Sequence, residues 1–203
     1  MQSEHQTQAV VDFLGSAQVF TSTVNDLMAE QLKEVSTSDV TYSQLKLLKM
    51  VAATGGYSVS NLAQFMGVST AAASRAVDRL VRRGLIDRAE ARDDRRAVQL
   101  SLTDAGCDLI TRYNEAANAA LKHVFASLSQ DEMQQASDLL DRLSIGLVAQ
   151  ANDADEVCFR CGIHFRERCL LRQVRSRSCL YHRHQQSGAE PCATDDGGAH
   201  RPA

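Results

Sequence analysis

Ser69-Thr70-Ala71-Ala72-Ala73-Ser74-Arg75-Ala76-Val77-Asp78-Arg79-Leu80-Val81-Arg82-Arg83-Gly84 decides the fold. Ser69 is a residue type that caps helix N-termini, and Gly84 is the type that stops a helix at its C′ position. Between them, Ala73, Val77, Leu80 and Val81 recur at helical spacing and form one apolar face. Thr70, Ala71, Ser74, Arg75 and Arg79 are left on the outer side. Small side chains at the N-terminal end allow that end to enter a DNA major groove about 12 Å wide. The hydroxyls of Ser69 and Thr70, with the open backbone amides of the first turn, suit phosphate.

Working outward, the spacing predicts a short helix over Asn61–Phe65 capped by Ser60, then a turn at Gly67. Downstream, Leu85–Glu90 and Ala97–Leu102 read as two strands. The polar tip Ala91-Arg92-Asp93-Asp94-Arg95-Arg96 joins them without an Asn-Gly turn, which predicts a longer hairpin loop. Helix, tight turn, helix and hairpin together describe a winged helix-turn-helix. Thr41 or Ser43 caps a further helix through Leu45, Leu47, Leu48, Met50 and Val51, and Gly55-Gly56 ends it. A long helix spans about 6–35, with Val10, Phe13, Leu14, Ala17, Val24, Leu27, Met28 and Leu32 at helical spacing. Thr103 and Asp104 start another helix, to about Leu128. Ser129 with Glu132 forms a capping box that opens a last helix, to about Gln150. The expected fold class is mainly α with a small β-hairpin wing (α+β), flanked by long dimerisation helices.

The chain has 203 residues, of which 44 % are hydrophobic, enough for a real core. A net charge of −3 argues against a nucleic-acid binder when taken whole. Its distribution argues the other way, because Arg75, Arg79, Arg82, Arg83, Arg88, Arg92, Arg95 and Arg96 crowd one stretch. The N-terminus lacks the basic lead and apolar run of a secretory leader, and no apolar stretch is long enough for a bilayer. A cytoplasmic chain with reduced thiols is expected. Catalysis is not expected: there is no phosphate-binding glycine loop, nucleophile elbow or His-Glu-x-x-His. A protein-interaction module on the same fold is an alternative, but it has no need of arginines along a wing.

Residues 57–63, Ser69–Arg88, Asp94-Arg95-Arg96 and Leu100–Gly106 together resemble the multiple antibiotic resistance regulator (MarR) family. The resemblance covers the order of elements over about residues 1–150, and its DNA-reading core is about 41–106. It implies a homodimer whose terminal helices interleave and whose winged lobes reach successive major grooves of a pseudo-palindromic site. It places Ser69, Thr70, Ser74, Arg75 and Arg79 in the recognition helix. Asp94 and Arg96 match the family's wing motif, in which the acid orients a basic side chain near the minor groove. Arg92 and Arg95 are neighbouring wing candidates. It also implies repression, the commoner behaviour in the family, relieved by a small-molecule effector bound between dimer helices and lobe. Tyr42, Tyr57, Phe20 and Tyr113 are the aromatic candidates there, with core packing the preferred reading of each. Cys107 reads as a buried small hydrophobe rather than a sensing thiol.

Five of the six cysteines lie beyond residue 157. Residues 151–184 form a Cys/Arg/His-rich extension, and the composition after Gln185 predicts a disordered tail. Cys158, Cys161, Cys169 and Cys179 follow C-x2-C-x7-C-x9-C, with His164, His182 and His184 as substitute ligands. Four thiolates can wrap tetrahedral zinc or hold an iron–sulfur cluster, and the first pair has the form of a metal knuckle. The competing reading is a set of unligated thiols on a basic arm. A metal or iron–sulfur sensor is therefore a second function class, compatible with the first.

Overall fold

A computed structural model describes residues 2–36, 39–54, 58–90 and 98–150. The elements run α1 (Gln2–Val35), α2 (Tyr42–Thr54), α3 (Val59–Met66), α4 (Thr70–Arg82), β1 (Ile86–Glu90), β2 (Val98–Leu102), α5 (Asp104–Phe125) and α6 (Gln130–Gln150). The two strands form one antiparallel hairpin in which Ile86 pairs with Leu102 and Arg88 with Leu100. This is the expected mainly helical fold with a hairpin wing.

Local chemistry sets the boundaries. Thr41 caps α2, its hydroxyl accepting from the Gln44 amide at 3.3 Å, while Gln44 Oε1 accepts from the Thr41 amide at 3.0 Å. That reciprocal pair is a capping box, and it decides between Thr41 and Ser43. The helix before the turn begins earlier than the spacing suggested. Ser58, not Ser60, caps α3, its hydroxyl accepting from the Asn61 amide at 3.2 Å. Gly67, at φ +63°, then ends α3, and Val68 N–H returns to the Ala63 carbonyl.

The core sits between α2, α4, α5 and the hairpin. Leu45, Leu47, Leu48 and Met50 of α2 meet Leu62, Val77, Leu80, Ile86, Leu100 and Ile110. The C-terminal half of α1 joins through Met28 and Leu32, which are fully buried. Tyr113 of α5 is buried in the same cluster, as core packing predicted, and Tyr42 lies against it half-buried. Desolvation pushes both phenols above their ordinary range. The Tyr113 hydroxyl is a near neighbour of Tyr42 but finds no hydrogen-bond partner of proper geometry among the described residues.

Two expectations need correction. Phe20 is 51 % exposed and does not pack into the core, and Val10, Phe13 and Leu14 are exposed with it. Val10, Phe13 and Leu14 lie on the N-terminal half of α1, and Phe20 lies near its middle. Cys107, expected as a buried small hydrophobe, is half-buried on the first turn of α5 and disulfide-bonded. No described helix is long and apolar enough to cross a membrane. Tyr57, Cys158, Cys161, Cys169, Cys179 and the tail lie outside the described residues.

Candidate nucleic-acid interface

The recognition element is α4, and its ends are built as the sequence requires. Ser69 takes extended backbone angles, and its hydroxyl accepts from the Ala72 amide at 3.2 Å. That leaves the first amides, those of Thr70 and Ala71, at an exposed tip. At the other end Gly84 sits at φ +68°. Its amide bonds the Val81 carbonyl at 2.9 Å, and Leu85 N–H bonds the Leu80 carbonyl at 3.0 Å. This paired closure is a Schellman motif, and it needs the left-handed glycine.

Ala73, Val77 and Leu80 are fully buried, and Val81 packs at the edge of the core. Thr70, Ala71, Arg75 and Arg79 are exposed, with Ser69 beside them, and Ser74 is half-buried. The helix therefore turns the predicted face outward. Arg75 and Arg79 make no ion pair among the described residues, which leaves both guanidinium groups available to an external anion.

The arginine cluster divides by role. Arg82 stays on the surface and donates to the Asp78 carbonyl of its own helix at 3.3 Å. Arg83 turns inward and donates to Gln44 Oε1 at 2.8 Å. Arg88 of β1 meets Asp78 of α4 at 2.6 Å, a half-exposed ion pair worth about 0–1 kcal/mol. That pair ties the wing's first strand to the recognition helix. Sequence reasoning counted Arg83 and Arg88 in one basic footprint and did not single out Gln44 or Asp78. The Thr41–Gln44 spacing was the signal for Gln44; Asp78 carried none, since any exposed helical acid reads alike. Arg92, Asp94, Arg95 and Arg96 lie outside the described residues, so only the helix half of the interface is defined. Among the described residues no cluster of His, Cys, Asp and Glu could hold a metal ion.

Residues 40–98 match the model of the MarR family. The chain is 32 % identical over 130 residues to the HTH-type transcriptional repressor MdtR of Bacillus subtilis (strain 168), covering 64 % of this chain and 81 % of that protein. Its fold is similar to the crystal structure of the YusO protein from Bacillus subtilis, with 29 % identity, a TM-score of 0.56, and coverage of 68 % of this chain and 95 % of that one. It is also similar to a mutant MarR from E. coli complexed with operator DNA, at 21 % identity and a TM-score of 0.54, covering 66 % of this chain and 95 % of that one. The second likeness speaks for the fold; the MdtR identity, spread over most of that repressor, speaks for kinship. The chain belongs to the MarR family and is a DNA-binding transcriptional regulator, not an enzyme.

Proposed function

We propose that the protein is a repressor that binds a pseudo-palindromic duplex operator as a homodimer. The observation that carries this reading is the outward face of α4: Thr70, Ala71, Arg75 and Arg79 exposed above a buried Ala73-Val77-Leu80 face. Such a helix presents hydrogen-bond donors to base edges and positive charge to phosphates, with no bulky side chain at its entering end. MdtR, the most identical of the relatives quoted above, is a repressor by name, which supports the sign of regulation.

The homodimer is supported by what the protomer leaves bare. Val10, Val11, Phe13, Leu14, Val19 and Phe20 of α1 are exposed, as are Met133, Leu139, Leu140, Leu143 and Leu147 of α6. Apolar surface of this extent on both terminal helices marks an interaction surface. A second copy brings the same two faces, and the closed two-fold arrangement matches a pseudo-palindromic site.

The test is selection of duplexes from a random library, followed by affinity measurements on the enriched sequence. The variant Arg75→Ala combined with Arg96→Ala is expected to bind it about a hundredfold more weakly. Log affinity should fall linearly and steeply with log salt. Parental affinity in that double variant would refute the contact assignment. Relief of repression is proposed to come from a small-molecule effector or from the state of Cys158, Cys161, Cys169 and Cys179. If those thiolates hold zinc or an iron–sulfur cluster, anaerobically purified protein will carry stoichiometric metal.

A further inference from the structure

The turn Arg83-Gly84-Leu85 carries the recognition helix into the wing, and two other helices grip it. From α2, Gln44 Oε1 accepts from Arg83 Nη1 at 2.8 Å. From the start of α5, the Thr103 hydroxyl donates to the Gly84 carbonyl at 2.6 Å, and the Thr103 amide donates to the Leu85 carbonyl at 3.3 Å. Each anchor is itself fixed. Gln44, a buried polar side chain at 7 % exposure, also accepts from the Thr41 amide at 3.0 Å. The Thr103 hydroxyl also accepts from the Gly106 amide at 3.0 Å, and caps α5 by doing so.

We propose that Gln44 and Thr103 are positioning residues for DNA reading: they fix the C-terminal turn of α4 and so set the angle at which Thr70–Arg79 enters the groove. This inference rests on the reading of α4 as the recognition helix. Neither residue lies on the outer face of α4. The buried face of α4 sets how deep the helix sits, but apolar burial is non-directional and tolerates tilt. Hydrogen bonds at the turn are directional and do not. The helix has 13 residues. At 1.5 Å per residue it is about 20 Å long, so a tilt of about 10° at the turn moves its tip by about 3 Å. Base-edge hydrogen bonds do not survive such a shift, whereas attraction to the phosphate backbone does.

Binding of the full-length protein is compared on two probes: the duplex the parent enriches from a random library, and a scrambled duplex of equal composition. Gln44→Met and Thr103→Val remove the anchoring atoms at nearly constant volume and charge. Each is expected to lower the ratio of the two affinities about tenfold, with scrambled-duplex affinity and its salt slope unchanged. Gln44→Glu and Thr103→Ser keep an acceptor or a hydroxyl and should return the ratio to near the parental value. Should Gln44→Met fail to fold, Arg83→Lys keeps the charge, shortens the reach and should lower the ratio in the same way. Ile110→Val is a control that loosens the core away from the turn and should leave the ratio intact. An unchanged ratio in the anchor variants, or an equal loss in Ile110→Val, overturns the inference while leaving the DNA reading standing. A parent that enriches no sequence overturns both.

Discussion

The winged lobe and the terminal helices solve the problem of apolar surface in opposite ways. The lobe closes on itself: Leu45, Leu48, Leu62, Leu80, Ile86, Leu100 and Ile110 are all removed from water by neighbours in the same chain. Helix α6 does not close on itself or on its neighbours among the described residues. None of its described residues is buried, and among the described elements of its protomer it makes no more than incidental contact. A lone helix of 21 residues is marginal in water, since packing supplies most of a helix's stability. Its leucines remain uncovered, and Met133, Leu140 and Leu147 recur every seven residues with Leu143 between, the spacing of a helix seam. The difference teaches that the unit of folding in the lobe is one chain, whereas in the terminal region, on the homodimer proposed above, it is two.

The largest break in this contrast comes from Leu140→Glu combined with Leu143→Glu. Burying each leucine is worth about 1.5–3 kcal/mol, and a two-fold interface counts each substitution twice. The expected product is a monomer by sedimentation velocity, with near-parental lobe structure and severely weakened binding to an enriched duplex. A stable dimer in that variant would show that α6 is not part of the interface.

The converse substitution strikes the lobe and spares the seam. Gly106 lies where the first turn of α5 meets the turn after α4, and a Cβ there would collide with the Leu85 carbonyl oxygen. Backbone cannot yield as a flexible side chain can. Gly106→Ala should cost about 3 kcal/mol of lobe stability by denaturant unfolding, with the seam's own residues untouched. An unchanged unfolding midpoint would mean that α5 and the turn can separate at little cost.

A smaller effect, of opposite sign, is expected at Tyr113. Its hydroxyl is buried without a satisfactory partner, so the fold carries the desolvation of that group with little return. Tyr113→Phe should leave stability unchanged or raise it by up to about 1 kcal/mol, read as the melting temperature. A clear loss would reveal a hydrogen bond to Tyr42 that matters. The same variant should leave the dimer unaffected, because Tyr113 belongs to the lobe.

Sequence legibility follows the same division. Residues whose roles are set by neighbours in sequence were readable: Ser69 as cap, Gly84 as left-handed stop, Ser129 and Glu132 as capping box, and the Ala73-Val77-Leu80 face. Residues whose roles are set across the fold were not. Arg83 and Arg88 look like Arg75 and Arg79 in a string of letters, yet Gln44 and Asp78 claim them. Periodicity could show that Val10, Phe13 and Phe20 share a helix face with Met28 and Leu32. It could not show that the lobe covers only the last two, because a helix stripe does not state whose surface buries it.

The smallest effect probes how α6 is held at its start. The Glu132 carboxylate accepts from the Ser129 amide at 2.8 Å and from the Ser129 hydroxyl at 2.7 Å. Those bonds to its backbone and hydroxyl partners favour the charged form and hold its pKa below the ordinary 4.5. The sign follows from linkage: a carboxylate depressed in the folded state adds stability above its unfolded pKa, and loses it as pH falls through the lower folded value. Glu132→Gln keeps the geometry of a capping box but removes the charge. The variant should therefore form a slightly weaker dimer than the parent at pH 7. The gap should close as pH is lowered below 4.5, when the parent's own carboxyl becomes neutral. Dimer dissociation measured by sedimentation across that range reads the effect where the two-chain view locates it. A gap that persists in acid would assign the loss to altered side-chain packing, and a gap seen only in lobe unfolding would place the cap's influence in the wrong half of the molecule.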